Sequence, residues 1–147
     1  MGNKLKPGRD YVGVGGGVLV FNKKKEVLLM RRANTRNEAG WWSKPGGGVD
    51  YGEKALFSMK RELKEEAGIN IDIWGYLPHT DHILKKDKQH WVAFNYLADI
   101  KSGEPKIMEP EKCDGIGWFS LKKLPKKLNQ TTKESIKNYL EKKYIKL

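Results

Sequence analysis

Three glutamates in the middle of the chain, Glu62, Glu65 and Glu66, have a spacing that suits a metal-binding helix face. Residues three and four positions apart lie on one side of an α-helix, so these carboxylates are predicted to project together. Bare carboxylates at this spacing repel one another. A hard divalent cation among them would remove the repulsion, since Mg²⁺ and Mn²⁺ prefer oxygen ligands. The alternative is a solvated acidic face that neighbouring basic residues neutralise.

A glycine-rich segment directly before this helix favours the metal interpretation. Residues 45–48 read Pro-Gly-Gly-Gly and are predicted to form a compact turn. Glycine allows a backbone carbonyl to approach a ligand closely. The helix itself is predicted over Glu53–Ala67, with Gly68 as its C-terminal stop. Arg61 lies on this helix within reach of Glu53, so the two side chains are expected to form an ion pair.

Gly47, Glu53 and the run Arg61-Glu62-Leu63-Lys64-Glu65-Glu66-Ala67-Gly68-Ile69 together resemble a complete Nudix box, with every fixed position matched. A pattern with this many fixed residues and gaps is far more specific than a short motif. The order of the predicted strands and helices extends the resemblance from about residue 11 to residue 144. The resemblance implies metal-dependent hydrolysis of a diphosphate bond in a nucleotide.

The resemblance also assigns the metal ligands. Glu62, Glu65 and Glu66 match the metal-binding glutamates of the family, and Gly46 matches the glycine whose carbonyl often completes the site. The implied cofactor is Mg²⁺, with Mn²⁺ as a substitute. The ion would neutralise the diphosphate oxygens and orient a water molecule.

The catalytic set that the resemblance implies is Glu62, Glu66, Glu53 and Arg61. In it, Arg61 pairs with Glu53 and holds the helix and the preceding loop in register. A carboxylate takes the proton of the attacking water. Several acids remain candidates for this general base: Glu62 and Glu66 on the helix, and Glu109, Glu111 and Asp114 in a later loop.

Four residues outside the box are candidates for substrate binding. Arg32 ends the second predicted strand, where related enzymes often place a phosphate-contacting arginine; a plain surface charge is the alternative. Glu111 lies in the acidic loop, and Asn129 is either a base reader or a turn residue before the last helix. Trp42 is the first choice for stacking on the base among the large aromatic side chains, which are Phe21, Trp41, Trp42, Trp74, Trp91 and Trp118.

The substrate expected from the resemblance is a nucleoside triphosphate, cleaved to the monophosphate and pyrophosphate. ADP-ribose hydrolases commonly carry a proline where this chain has Lys85, and the tyrosine typical of dinucleoside polyphosphate hydrolases is also missing there. Residues 13–18 and 109–112 are similar to triphosphate-cleaving members. The alternatives are an ADP-ribose or other nucleoside diphosphate pyrophosphatase, an RNA-end pyrophosphohydrolase, and an inactive nucleotide- or nucleic-acid-binding module.

The elements that must position these residues predict an α/β fold. Strands are expected at 11–21, 26–31, 69–77, 91–100 and 116–121, the first two as a hairpin. A second helix is expected after a capping box of Thr131 and Glu134, with Ile136, Tyr139, Leu140 and Tyr144 on its core face. This order of strands and helices predicts a Nudix-type α/β/α sandwich with a mixed β-sheet between helices.

Composition restricts the remaining possibilities. The 147 residues suit one domain, residues 1–147, and the single cysteine, Cys113, excludes an internal disulfide and a thiolate cluster. No apolar stretch approaches the length of a membrane span, and the first residues do not resemble a secretory signal, so a cytoplasmic location is expected. The net charge of +11 suggests a polyanionic partner, which could be a phosphorylated metabolite, nucleic acid or a membrane surface; a small-molecule nucleotide is expected and a membrane is not. A nucleic-acid partner is not expected, and dimers are common in the family, which suggests a homodimer.

Overall fold

A mixed β-sheet with one helix on each face forms the fold of the described residues, 4–34 and 36–147, in a computed structural model. In chain order the elements are β1 (Gly13–Phe21), β2 (Val27–Arg32), β3 (Trp42–Ser43), β4 (Gly46–Gly48), α1 (Ala55–Ala67), β5 (Asn70–Leu84), β6 (Gln89–Ser102), β7 (Cys113–Phe119), α2 (Gln130–Leu140) and β8 (Ile145–Lys146).

The strands lie in the order β3-β2-β1-β6-β5-β8, with β4 paired to β1 and β7 paired to β2. Only the pairing of β1 with β6 is parallel among the described strands, and it runs in register from Gly13 opposite Trp91 to Phe21 opposite Asp99. The other pairs are antiparallel, including the predicted hairpin of β1 and β2. The sheet is therefore mixed, as predicted.

Alternate residues of β1 face two hydrophobic cores, one on each side of the sheet. Val18 and Val20 pack with Met59 and Leu63 of α1 on one face of the sheet. Leu19 and Phe21 pack with Ile136 of α2 on the other face. Successive strand residues point to opposite faces, so a strand covered on both sides is apolar throughout. This packing confirms the predicted α/β/α sandwich.

Two predicted boundaries in the first half of the chain are wrong. No strand is predicted between residues 32 and 44, but β3 lies there and pairs with β2. The glycine segment is not a compact turn either, because Gly46–Gly48 form strand β4 antiparallel to Gly15–Gly17 of β1. Glycine has no side chain to show a two-residue pattern, so this pairing of two glycine segments left no signal in the sequence.

The helices also differ from the prediction at their ends. Helix α1 begins at Ala55, so Glu53 lies in the loop before it, while Gly68 ends it in the left-handed conformation as predicted. Helix α2 is capped by Asn129, whose side chain accepts a hydrogen bond from the backbone N–H of Thr132, so the predicted capping box at Thr131 is wrong. Since α2 ends at Leu140, Tyr144 lies beyond the helix and stacks on Tyr139.

Leu140 is 58% exposed, so its predicted place on the core face is also wrong. In the described part of the chain, neither helix has the length and apolar character needed to cross a membrane.

Candidate active site

A cleft of about 560 Å³ opens beside the glycine strands β1 and β4, the second half of α1 and the first turn of α2. Five of the predicted site residues line it: Gly46, Glu62, Glu66, Arg32 and Asn129. The other five do not line it in the described part of the chain: Glu53, Arg61, Glu65, Trp42 and Glu111.

Glu62 and Glu66 bring two carboxyl groups together at one end of the cleft. The Glu62 carboxyl lies against Gly47, where an added Cβ would be 2.4 Å from Glu62 Cδ. Burial raises the pKa of both carboxyl groups, and the charge of Glu62 adds to the increase in the pKa of Glu66. The charge of Glu109 adds to the increase in the pKa of Glu66. Two buried carboxylates oppose each other's ionisation unless a proton or a cation lies between them.

This donor set fits a hard divalent cation. Glu62 and Glu66 offer carboxylate oxygens, and Gly46, which also lines the cleft, offers a backbone carbonyl oxygen. Oxygen ligands of this kind are the ones that Mg²⁺ and Mn²⁺ prefer. Across residues 4–34 and 36–147, no three carboxylate, imidazole or thiolate side chains form a cluster that could hold a metal ion. Glu62 and Glu66 are therefore the two carboxylates that the structure brings together in the cleft.

Glu65 stands apart from this pair. Its carboxylate accepts a hydrogen bond of 3.1 Å from Arg61 Nη1, and its side chain is 51% exposed. Consecutive helix residues point about 100° apart, so Glu65 cannot share the direction of Glu66. A metal-binding role for Glu65 therefore remains a prediction from the resemblance.

Arg61 connects the helix to the loop before it. Its Nε and Nη2 donate to the two carboxylate oxygens of Glu53 at 2.6 and 2.9 Å. Arg61 also lies 3.2 Å from the carboxylates of Asp50 and Glu62. The hydrogen bonds from Arg61, followed by that from Ser58, lower the pKa of Glu53 to about 2. These contacts hold the loop that follows β4 against the helix that carries Glu62 and Glu66.

Basic side chains surround the two glutamates. Arg32 donates from Nε to the backbone oxygen of Asn37 at 2.7 Å. Burial and the neighbouring Arg36 lower the pKa of Arg32, while the negative charge of Glu66 acts in the opposite direction. The basic residues that line the cleft outnumber its three glutamates, Glu62, Glu66 and Glu109; they are Arg9, Arg31, Arg32, Arg36, Lys44 and Lys112.

The aromatic side chain on the cleft is Trp91 rather than Trp42. Trp42 packs edge-on against Phe119 and lies beneath the guanidinium of Arg31, away from the cleft. Trp91, on β6, lies over Gly13, where an added Cβ would be 2.5 Å from its ring. The glycines of β1 leave room for this ring, but the sequence alone does not show that Gly13 pairs with Trp91.

Asn129 lines the cleft, but its amide is engaged. Its Oδ1 accepts from the backbone N–H of Thr132 at 3.0 Å, and its Nδ2 donates to Glu38 Oε2 at 3.2 Å. Asn129 therefore lies at the approach to the last helix, as its alternative role predicted, and it also serves as the helix cap. Lys44, for which the sequence predicts no role, also lines the cleft.

Comparison with known proteins identifies the family. The NUDIX domain model matches residues 13–139. The chain is 34% identical over 112 residues to "8-oxo-dGDP phosphatase NUDT18" of Danio rerio, which covers 74% of this chain and only 33% of that protein. It is 28% identical over 134 residues to an RNA pyrophosphohydrolase of Bartonella bacilliformis, covering 76% of this chain and 79% of the relative.

Two further likenesses cover most of both chains. The putative 8-oxo-dGTP diphosphatase of Bacillus subtilis is 27% identical over 125 residues, or 85% of this chain and 78% of the relative. The crystal structure of a MutT NUDIX hydrolase from Burkholderia pseudomallei has a TM-score of 0.80 and 38% sequence identity, covering 85% of this chain and 95% of that chain. This chain therefore belongs to the NUDIX family, and it is a Nudix pyrophosphohydrolase.

Proposed function

We propose that this enzyme hydrolyses a nucleoside triphosphate to the nucleoside monophosphate and pyrophosphate. The observation that carries the proposal is the pairing of Glu62 and Glu66 with Arg32 in a single cleft whose other walls are rich in arginine and lysine. Carboxylates that can hold a divalent cation and arginines that can bind phosphate oxygens are the two requirements of diphosphate cleavage.

Different residues of the cleft would hold the cation, bind the phosphate and accept the proton. Glu62, Glu66 and the Gly46 carbonyl would hold Mg²⁺, or Mn²⁺ in its place. The bound ion supplies neutralisation of the diphosphate charge and orientation of the attacking water. Arg32 binds a phosphate oxygen. The proton of the water goes to Glu62, Glu66 or Glu109, since these acids line the cleft, whereas Asp114 pairs with Arg31 at 2.7 Å outside it.

A triphosphate suits this cleft better than ADP-ribose does. It carries more negative charge, and the cleft has six basic side chains against three carboxylates. The name of the Bacillus subtilis relative, a putative 8-oxo-dGTP diphosphatase, supports the same class of substrate.

A triphosphorylated RNA end is the second candidate substrate. The Bartonella bacilliformis relative is named an RNA pyrophosphohydrolase, and this chain covers 79% of it. Arg9 and Arg36 line the cleft in addition to the residues around Glu66, and they are available to a phosphate beyond the first nucleotide. Backbone contacts of this kind weaken steeply as salt rises, whereas a free nucleotide responds less.

The test is a panel of substrates with Mg²⁺ or Mn²⁺ and product identification by mass. The panel contains the nucleoside triphosphates, ADP-ribose, a dinucleoside polyphosphate and a short 5′-triphosphorylated RNA. We expect monophosphate and pyrophosphate from a triphosphate, with a kcat/KM at least about tenfold above that for ADP-ribose. A kcat/KM for ADP-ribose about tenfold above every triphosphate would contradict the proposed substrate class. The RNA candidate requires a higher kcat/KM for the RNA than for any free nucleotide, with a steep dependence on salt.

We also propose that the protein is cytoplasmic and forms a homodimer. Cell fractionation tests the first. Light scattering on the purified protein tests the second, and a mass equal to one chain of 16.9 kDa would contradict it.

A further inference from the structure

Lys44 is a buried basic residue on the wall of the cleft that the proposed chemistry does not use. It lies between β3 and β4, and its side chain passes over Gly17, where an added Cβ would be 2.5 Å from Lys44 Cε. Its backbone N–H donates to Thr132 Oγ1 at 3.0 Å, which fixes this segment against α2. Only 9% of the residue is exposed, and it lines the cleft.

The ammonium group of Lys44 has no close carboxylate partner among the described residues. Ion pairs within 4.0 Å are present for Arg31, Arg61 and Lys112 of the same region, but not for Lys44. The carboxylates of Glu134 and Glu38 act on Lys44 electrostatically, but neither forms an ion pair with it. A buried cation without a partner is costly, so the position favours a ligand that accepts hydrogen bonds.

Lys44 and the catalytic glutamates reach the glycine strands from opposite faces. A Cβ at Gly16 would point at Met59 of α1, whereas a Cβ at Gly17 would point at Lys44. Glu62, also on α1, lies against Gly47, which pairs with Gly16. A nucleotide whose diphosphate lies at Glu62 and Glu66 would have to extend across the glycines for its base to reach Lys44.

The polar groups beside Lys44 are already committed within the protein. Both ends of the Asn129 amide are bonded, to Thr132 and to Glu38. The hydroxyl of Thr131 donates to Asn129 Oδ1 at 3.5 Å. A lysine ammonium has three donors and no acceptor. Lys44 therefore offers a hydrogen-bond donor to a base in this part of the cleft.

We propose that Lys44 recognises the nucleobase by donating a hydrogen bond to a ring carbonyl oxygen, so that the enzyme prefers keto bases to amino bases. The inference rests on the proposed function for its class of substrate. A carbonyl at purine position 6 or pyrimidine position 4 satisfies the donor. An exocyclic amino group at the same position is itself a donor, so it and the Lys44 ammonium would both be left without an acceptor. Binding sites discriminate strongly against a ligand that leaves buried polar groups unpaired in this way.

The test compares ligands that differ at this position and in the proton on the adjacent ring nitrogen. Inosine and adenosine monophosphate differ by oxygen against an amino group at position 6, and uridine and cytidine monophosphate differ in the same way at position 4. Dissociation constants measured by calorimetry without metal, in wild type and Lys44→Met, need no hydrolysis. We expect wild type to prefer the keto member of each pair by on the order of tenfold, and Lys44→Met to bind both members equally.

Two variants serve as controls. Lys44→Gln offers a donor and an acceptor, so it should bring the ratio close to one even if Lys44→Met folds poorly. Lys133→Met removes an exposed lysine from α2 and should keep the wild-type ratio. The proposal would be overturned by equal affinities in wild type or by no measurable binding of either ligand. It would also be overturned by a keto preference that survives in a folded Lys44→Met or Lys44→Gln.

The outcome is separable from the proposed function. Hydrolysis of triphosphates without a keto preference would overturn the role of Lys44 alone. A keto preference in binding without hydrolysis of any triphosphate would support Lys44 and contradict the proposed reaction.

Discussion

Arg61 donates hydrogen bonds to both carboxylate oxygens of Glu53, from Nε at 2.6 Å and from Nη2 at 2.9 Å. Glu53 precedes helix α1, and Arg61 lies in its middle, next to Glu62. This bidentate contact therefore joins the loop after strand β4 to the helix that carries Glu62 and Glu66. A bidentate pair of this kind fixes direction as well as distance.

Replacing Arg61 with alanine should lower both stability and activity. Glu53 would lose its partner, and the loop would no longer be held against α1. We expect a lower Tm and a kcat/KM reduced about tenfold to hundredfold, because small displacements of catalytic groups are costly. Lys64→Ala, an exposed change on the same helix, is the matched control. A wild-type Tm and wild-type activity in Arg61→Ala would show that the contact positions nothing.

The same pair predicts how stability depends on acid. Arg61 and Ser58 lower the pKa of Glu53 from 4.5 to about 2 in the folded protein. A carboxyl whose folded pKa is lowered stabilises the fold above its unfolded pKa, and this stabilisation is lost as pH falls through the folded value. The difference in unfolding free energy between wild type and Glu53→Gln should be constant above about pH 5 and shrink between about pH 4.5 and pH 2. Urea unfolding at a series of pH values measures it, and a difference that does not change with pH would contradict the assignment.

Gly47 and Gly48 provide a matched pair of substitutions. A Cβ at Gly47 would lie 2.4 Å from Glu62 Cδ, whereas a Cβ at Gly48 would lie 3.8 Å from the Trp91 ring, an ordinary contact. Gly47→Ala should therefore displace the Glu62 carboxyl and lower kcat/KM about tenfold or more, while Gly48→Ala should resemble wild type. Equal activities of the two variants would show that the position of Glu62 does not depend on this contact.

The parts of the fold that follow from the sequence are those with a side-chain pattern. Met59, Leu63 and Ala67 recur at helical spacing and are buried on α1, and Gly68 ends the helix because it adopts a positive φ of 68°. Strand β4 has no such pattern, since three glycines carry no side chains. Its existence depends on pairing with Gly15–Gly17, a contact distant in sequence.

The sequence also could not predict which of several similar side chains takes a role that tertiary contacts decide. Asn129 and Thr131 are both able to cap a helix, and the cap is at Asn129, whose backbone N–H donates to the oxygen of Trp42. Trp42 and Trp91 are both amphipathic aromatics, and only the strand pairing places Trp91 on the cleft. Lys44 shows no sign in the sequence of being buried, because its burial comes from Gly17 and α2.

The turnover number of Glu66→Gln tests the central claim most directly. Glutamine keeps the size of the side chain but removes its negative charge, and with it the ability to bind the cation or accept a proton. Lys64→Gln, a change on the exposed side of the same helix, is the comparison, and its loss should be much smaller. Circular dichroism and Tm establish that both variants are folded.

With Mg²⁺ and a nucleoside triphosphate at saturation, we predict that kcat of Glu66→Gln falls by on the order of 10³-fold with the fold intact. A folded Glu66→Gln that hydrolyses the triphosphate at a rate close to that of wild type would contradict the account.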